Sequence, residues 1–188
     1  MSEVDGGQIR KGMKLEVDGA PYLVVIADIV KPGKGQAFTR VRLKNMKTGA
    51  VVEKTYKSND KLKEAAVEET KMRMLYRDSD SVVFMDDQTF EQITIPLSMI
   101  GDKVVWLMEE ILYDILFYNG EPVDFAPPTF MEMKIAETIP GDRGNTASGR
   151  VLKPATTETG AQVQVPIFID QGEKIKIDTR TGEYVSRI

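Results

Sequence analysis

The chain has 188 residues, of which 41% are hydrophobic and 29% charged, proportions typical of a globular protein rather than a disordered one. It has no cysteine and no histidine, which excludes disulfides and thiolate metal sites and removes the commonest acid–base and metal-ligating side chain. No apolar run approaches the roughly 18 residues of a membrane span, and the first residues do not resemble a signal peptide. We therefore expect a cytoplasmic protein that binds no metal, cofactor or membrane.

The net charge of -4 is distributed unevenly along the chain. Residues 1–64 carry 13 Lys/Arg and 8 Asp/Glu, residues 65–128 carry 4 and 13, and residues 129–188 carry 8 of each. A positive first segment can bind phosphate locally even in an acidic protein. Solvated surface charge is an equally good interpretation of this distribution.

Strands with turns between them are predicted in the first third of the chain, at residues 22–30, 38–43 and 50–56. The second of these alternates, so that Thr39, Val41 and Leu43 share one face and Arg40 and Arg42 lie on the other. The polar residues 57–63 are predicted to end this unit. The pattern indicates a small, strongly bent antiparallel sheet or barrel.

In the middle third of the chain the residue pattern predicts five strands, at residues 71–76, 81–85, 89–95, 111–118 and 121–125. Helical spacing predicts one short helix within residues 97–107. Asn119 and Gly120 predict a type I′ hairpin turn. Five short strands with a helix between the third and the fourth follow the order of an OB-fold.

The last third predicts strands at residues 130–136, 161–169, 174–178 and 183–187, with a long polar loop over residues 140–159. This segment is also predicted to form an OB-fold, although it contains no clear helix. The sequence thus predicts an all-β chain of three small barrels in series, elongated, with domains at 1–64, 65–128 and 129–188. The apolar side chains expected in the cores include Met72, Met74, Trp106, Phe117 and Phe130.

One predicted hairpin carries a candidate functional tip, formed by Lys31, Pro32, Gly33, Lys34 and Gly35. Proline cannot donate to a strand ladder, and the two glycines leave Lys34 without packing neighbours, so its amine should be exposed. Arg40 and Arg42 are close enough in sequence to contact phosphates. The alternative is a soluble turn whose lysines protect a sheet edge.

The loop over residues 140–160 is too long to be a simple connection, which favours a binding role. Arg143, Arg150 and Lys153 give it positive charge, although a disordered surface loop is an equal alternative. It contains no phosphate-cradling glycine motif. The carboxylate pairs of the chain, at residues 86–87 and 109–110, are adjacent in sequence and so do not converge as acid–base catalysis requires.

Motifs along the whole chain resemble bacterial translation elongation factor P, in order and at that family's length. They are Lys31-Pro-Gly-Lys-Gly-Gln-Ala-Phe38, Glu53-Lys-Thr-Tyr-Lys57, Phe84-Met85 with Thr89-Phe-Glu-Gln92, Asn119-Gly120, Lys153-Pro-Ala-Thr156, Val163-Gln-Val-Pro166 and Asp178-Thr-Arg-Thr-Gly-Glu-Tyr-Val-Ser-Arg187. Each motif alone is weak, whereas the set is specific.

The resemblance implies an N-terminal SH3-like, KOW-type barrel followed by two OB-folds, in an L shape that mimics tRNA. It implies a non-enzymatic factor that binds the ribosome between the peptidyl and exit sites, contacts peptidyl-tRNA and rRNA, and relieves stalling at consecutive prolines. Lys34 would act near the acceptor end of the peptidyl-tRNA after extension by a modifying enzyme, often by β-lysylation. We expect a monomer.

In the third domain the resemblance implies further RNA contacts. The family's Gly-Asp-Thr loop, which contacts RNA near the exit-site codon, matches Gly144, Asn145 and Thr146, with Asn145 replacing the usual aspartate. Tyr184 and Arg187 match residues placed near tRNA. The segment 149–153 is one residue longer than the common form.

Three alternatives stay open at this point. A free-standing single-stranded-RNA binder needs exposed aromatics on a basic groove, which the acidic second third disfavours. A hydrolase needs two converging acids. The elongation-factor-P-like paralogue is a nearer rival, and the Lys34-centred motif favours the factor itself.

Overall fold

A computed structural model describes residues 2–141 and 151–188 of the chain. The predicted RNA contacts Arg143, Gly144, Asn145, Thr146 and Arg150 lie outside the described residues. Most of the described residues form strands, which are arranged in three sheets. The all-β fold class is therefore confirmed.

The first sheet contains six strands in the order β1-β6-β2-β3-β4-β5. They are β1 (Glu3–Asp5), β2 (Lys14–Val17), β3 (Ala20–Val30), β4 (Phe38–Asn45), β5 (Val51–Lys57) and β6 (Lys61–Glu64), with a 3₁₀ helix at Gly6–Gln8. β3 and β4 form a long hairpin with a bulge between Val24 and Ile26, which bends the sheet. Val41 and Leu43 are buried in its core, as the alternation of β4 predicts.

Three strands of the first sheet were not predicted from the sequence. β1 and β2 precede the first predicted strand, and β6 overlaps the polar segment 57–63 that was expected to end the unit. β6 pairs with both β1 and β2, so it joins the start of the domain to its end. These strands have three or four residues each, too few for an alternating pattern to identify them.

The second sheet has five strands in the order β11-β10-β7-β8-β9. They are β7 (Val67–Arg77), β8 (Ser81–Met85), β9 (Gln92–Pro96), β10 (Leu112–Tyr118) and β11 (Glu121–Ala126). The predicted helix lies between β9 and β10, as α1 (Leu97–Ile100) continued by a 3₁₀ helix at Gly101–Trp106. Asn119 and Gly120 have φ of 50° and 78°, which a type I′ turn needs. The predicted OB order is confirmed here.

Three aromatic rings form the centre of the second sheet's core. Phe84 lies 5.6 Å from Tyr113 and 5.8 Å from Phe125, measured between ring centroids, and all three rings are buried. The Tyr113 hydroxyl donates to the carbonyl of Trp106 at 2.5 Å and accepts from the backbone N–H of Met108 at 2.8 Å. Burial raises the pKa of Tyr113 to about 12. The hydroxyl therefore stays neutral and serves as a buried hydrogen-bonding group between Trp106 and Met108.

The third sheet has the strand order β14-β13-β12-β15-β16. Its strands are β12 (Phe130–Thr138), β13 (Leu152–Thr157), β14 (Gln162–Pro166), β15 (Lys174–Asp178) and β16 (Glu183–Arg187). When the strands of each sheet are numbered along the chain, the second and third sheets have the same strand order, 3-2-1-4-5. β13 falls within the predicted long loop, which is therefore shorter than expected. The edge strands β14 and β16 approach each other, so the sheet curls toward a barrel.

The expected core side chains divide into two groups. Met72, Met74 and Trp106 are buried and Phe117 is half-buried. The prediction is wrong for Phe130, which is 46% exposed. The Lys176 ammonium lies 5.0 Å from the centre of its ring, so a cation–π contact replaces core packing there.

The chain divides into two compact units. One contains Met1–Glu69 and Leu116–Asp124, and the other contains Thr70–Ile115 and Phe125–Ile188. In the first unit, Tyr118 at the end of β10 is buried and donates to the carboxylate of Glu16 at 3.2 Å. The three-domain division at residues 64 and 128 stays a prediction. Across the part of the chain that the structure describes, no helix is long and apolar enough to cross a membrane.

Candidate functional site

The β3–β4 hairpin ends in a loop of exposed residues. Val30 and Phe38 form the last strand pair, and every residue from Lys31 to Gln36 is exposed. No hydrogen bond or ion pair reaches Lys34 from any residue in 2–141 or 151–188. Gly35 has a φ of 112°, a conformation that strains any residue with a Cβ. The prediction that Lys34 is exposed is confirmed for the unmodified side chain.

The base of the loop, in contrast, is fixed. The carbonyl of Ala37 accepts from both the backbone N–H and the hydroxyl of Ser58, at 3.1 and 2.9 Å. The side-chain amide of Gln36 donates to the side-chain oxygen of Asn59 at 2.9 Å. These bonds tie the return arm of the loop to the β5–β6 turn. Among the described residues of the loop, Lys31 to Gly35 form no such hydrogen bond to the β5–β6 turn.

A second anchor lies beneath the hairpin. Thr39 is fully buried, and its hydroxyl donates to the carbonyl of Gly6 at 2.8 Å. The backbone N–H of Gly6 donates to the carbonyl of Asp60 at 2.8 Å. The 3₁₀ helix that begins at Gly6 thus joins β4 to the β5–β6 turn, and the arm that follows Lys34 is held from below.

Gly6→Ala is expected to destabilise the protein by about 1–3 kcal/mol, since a Cβ there would lie 2.1 Å from the carbonyl oxygen of Lys57 and overpack the site. Gly7→Ala is the matched control, because its Cβ would lie 3.5 Å from the nearest atom, an ordinary contact at Ser58. Urea unfolding of both variants measures the difference. Equal stability of the two variants would contradict the close approach at Gly6.

The surroundings of the tip are positively charged. Lys31, Arg40 and Lys57 are exposed near Lys34, and Arg40 lies opposite Asp28 in the strand register. Arg42, also predicted to contact RNA, forms an ion pair with Glu53 at 2.7 Å. Surface pairs of this kind contribute only about 0–1 kcal/mol and are screened by salt. An approaching phosphate can therefore displace the carboxylate.

Tyr184 and Arg187, the described candidates of the third sheet, lie on β16. Tyr184 is half-buried and lines a groove of about 480 Å³ together with Gln164 and Glu183. Arg187 is paired with the carboxylate of Glu173, a partner that the sequence did not predict. Lys153, expected to add charge to the loop surface, is buried instead, and its ammonium donates to the carbonyl of Ile139 at 2.7 Å.

The adjacent carboxylates Asp86 and Asp87 are both engaged in local contacts. Asp87 makes a two-point ion pair with Arg73, whose hydrogen bond holds the pKa of Asp87 below its ordinary value. Asp86 accepts from backbone N–H groups of its own turn. Among the described residues, no group of three Asp or Glu side chains could hold a metal ion.

The anchors of the hairpin were not predicted from the sequence. Thr39 gave a partial signal, since it shares the buried face of β4 with Val41 and Leu43. Nothing in the sequence indicates that Gly6 or Ser58 lies beneath the loop, because each is distant from it along the chain. The tip residues and the arginines are brought together by the hairpin itself.

Three protein families match successive parts of the chain. Residues 5–62 match the Elongation factor P (EF-P) KOW-like domain, residues 67–125 the Elongation factor P (EF-P) OB domain, and residues 131–187 the family described as Elongation factor P, C-terminal. These matches confirm the expected kinds of domain, a KOW-like domain followed by an OB domain.

Curated relatives match over the full length. The chain is 57% identical to "Elongation factor P 2" of Protochlamydia amoebophila, covering 100% of this chain and 99% of that protein. It is 48% identical to "Elongation factor P" of Thermoanaerobacter sp., covering 98% and 100%. Among solved structures, the eukaryotic translation initiation factor 5A from Methanococcus jannaschii has a TM-score of 0.56 at 24% identity, over 67% of this chain and 94% of that one, which indicates a shared fold. The chain belongs to the elongation factor P family of translation factors.

Proposed function

We propose that this protein binds the ribosome beside the peptidyl-tRNA, between the peptidyl and exit sites, and stimulates peptide-bond formation at consecutive prolines through Lys34. The observation that carries the proposal is the contrast within one hairpin. Its tip presents an amine that has no hydrogen-bond or ion-pair partner among the described residues, while its base is fixed by bonds to Ser58, Asn59 and Gly6. Such a hairpin can extend an amine into a narrow RNA-lined site without loss of position.

The proposed mechanism is positional rather than chemical. Proline is a poor nucleophile in peptide transfer because its ring restricts the approach geometry. An amine hydrogen-bonded to the acceptor end of the peptidyl-tRNA lowers the entropic part of the barrier by holding that end in a reactive geometry. No proton transfer by the protein is needed, and we propose that it is not an enzyme.

The charge distribution supports this orientation. Lys31, Arg40 and Lys57 are exposed cations on the hairpin and on the strand beside it, and they suit the phosphates of tRNA and rRNA. We propose that Tyr184 and Arg187 contact RNA in the third domain, with the segment 143–150, and that Arg187 exchanges Glu173 for a phosphate. The protein would act as a monomer of three domains divided at residues 64 and 128.

A reconstituted translation system tests the function directly. Synthesis across three consecutive prolines is timed with and without the protein, and a template with alanines in their place is the control. We expect acceleration on the proline template alone. Equal rates with and without the protein, at concentrations where it binds ribosomes, would contradict the proposal.

We further propose that a partner enzyme extends Lys34, by β-lysylation. The exposed amine is accessible to such an enzyme without unfolding of the hairpin. Intact mass of the protein purified from its own host, followed by peptide mapping across residues 31–40, measures the extension. A mass equal to that of the bare sequence would exclude it under those conditions.

A further inference from the structure

Phe90, in the loop between β8 and β9, combines a strained backbone conformation with an exposed ring. It is 71% exposed, more than any other large apolar side chain in the described ranges. Its φ is 59°, in the left-handed region where glycine or asparagine is favoured and a bulky side chain is strained. Burial of the ring does not offset this strain. Outliers of this kind persist where the surrounding structure enforces them, and they concentrate at functional positions.

The turn that displays Phe90 is rigid. The carboxylate of Asp86 accepts from the backbone N–H groups of Gln88 and Thr89, at 2.7 and 3.3 Å. The backbone of Asp86 also accepts from the N–H of Phe90 at 2.8 Å and donates to the carbonyl of Glu91 at 3.0 Å. The ring therefore projects from a preformed turn, and little conformational entropy is lost when a partner covers it.

Arg73 fixes this turn to a neighbouring loop. Its guanidinium donates to the carboxylate of Asp87 at 2.6 and 3.0 Å and to the carbonyl of Glu110 at 2.6 Å. Glu110 is itself in the left-handed region, with a φ of 66°, and its N–H donates to the carbonyl of Met74 at 2.9 Å. The guanidinium of Arg73 thus links the loop that contains Asp87 and Phe90 to the loop that contains Glu110, at one end of the second sheet.

The charge around Phe90 defines the chemistry of its partner. The carboxylates of Asp86 and Glu91 give its turn negative charge, whereas the carboxylate of Asp87 is paired with Arg73. The whole segment 65–128 carries 13 acidic and 4 basic side chains. Oligonucleotides are common OB-fold ligands, but this field repels their phosphates. It attracts lysine- and arginine-rich protein surfaces instead.

We infer that Phe90 and the acidic turn around it form a docking surface for a basic protein segment. An arginine stacks on the exposed ring or a lysine stem covers it, while the carboxylates neutralise the charge. The inference rests on the proposed function, under which the partner is a basic protein component of the ribosome. The positive first domain then binds RNA, and the acidic second domain binds protein.

Two variants separate binding from folding. Phe90→Gly removes the ring and suits the left-handed backbone, so its Tm should equal or exceed that of the wild type. Its affinity for purified ribosomes should fall about tenfold, as expected for the loss of an aromatic anchor. Phe90→Tyr retains the ring and should retain affinity. Tyr76→Ala removes another exposed aromatic of the same sheet and should leave affinity unchanged.

The partner is identified by replacing Phe90 with the photoreactive p-benzoylphenylalanine and irradiating its complex with purified ribosomes. We expect cross-links to a lysine- or arginine-rich segment of a ribosomal protein, read by mass spectrometry. Cross-links only to RNA, no cross-link in a bound complex, or unchanged affinity of Phe90→Gly would overturn the inference. Failure of the wild-type protein to bind ribosomes would instead count against the proposed function.

Discussion

Lys34→Ala is expected to return peptide-bond formation between consecutive prolines to the rate measured without the protein. If the amine acts by positioning the acceptor end of the peptidyl-tRNA, its removal should cost on the order of 10²-fold of the stimulated rate. The reconstituted proline template measures this loss. Tm should not change, because Lys34 is exposed and forms no hydrogen bond or ion pair with any described residue.

Two further variants sharpen the Lys34 experiment. Lys57→Ala removes an exposed positive charge at the base of the same hairpin, so it should weaken ribosome binding slightly without removing the stimulation. Lys34→Arg keeps the charge but changes the shape and hydrogen-bonding geometry of the donor, so it should retain ribosome binding and only part of the stimulated rate. Stimulation that persists undiminished in Lys34→Ala would mean that the protein acts through another surface.

Phe84→Ala is expected to have the largest effect on stability. Phe84 is fully buried against Tyr113 and Phe125, and truncation of such a ring costs about 3–5 kcal/mol through lost burial and the cavity that remains. For a chain of this size that corresponds to a fall in Tm of roughly 10 °C. Calorimetry measures the change, and hydrogen exchange should show that protection is lost first in β7, β8 and β10.

The matched control for this variant is Phe168→Ala, the same truncation at a side chain that is 58% exposed. Its effect should lie within about 0.5 kcal/mol. A second comparison is Tyr113→Phe, which keeps the ring and removes the hydroxyl bonded to Trp106. It should cost less than the loss of a whole ring, about 1–3 kcal/mol, since a buried carbonyl loses its partner. Similar losses for Phe84→Ala and Phe168→Ala would contradict the assigned core.

Local pattern was enough to predict much of the fold. Alternation placed Thr39, Val41 and Leu43 on the buried face of β4, and the Asn119-Gly120 pair predicted its turn type. These features depend on residues close together in sequence, whose conformational preferences are intrinsic. The exposed position of Lys34 is of the same kind, because a proline and two glycines beside it leave nothing to bury it.

Other features depend on contacts that are distant in sequence. β6 is a strand only because β1 and β2 lie beside it, and four residues carry too little pattern to show this. The buried ammonium of Lys153 is satisfied by the carbonyl of Ile139, which follows β12, and the exposed ring of Phe130 is contacted by Lys176 of β15. A side chain's hydrophobicity does not say whether another element will cover it.

The same distinction applies to the candidate site. The sequence by itself determined the chemistry of the hairpin tip, an amine between two glycines, because composition and spacing are local properties. Only the tertiary structure decided that the base of the hairpin is rigid, since Gly6, Ser58 and Asn59 reach it through the closure of the first sheet. It also decided that Arg42 and Arg187 have carboxylate partners, because an ion pair requires two side chains to be brought together by the fold.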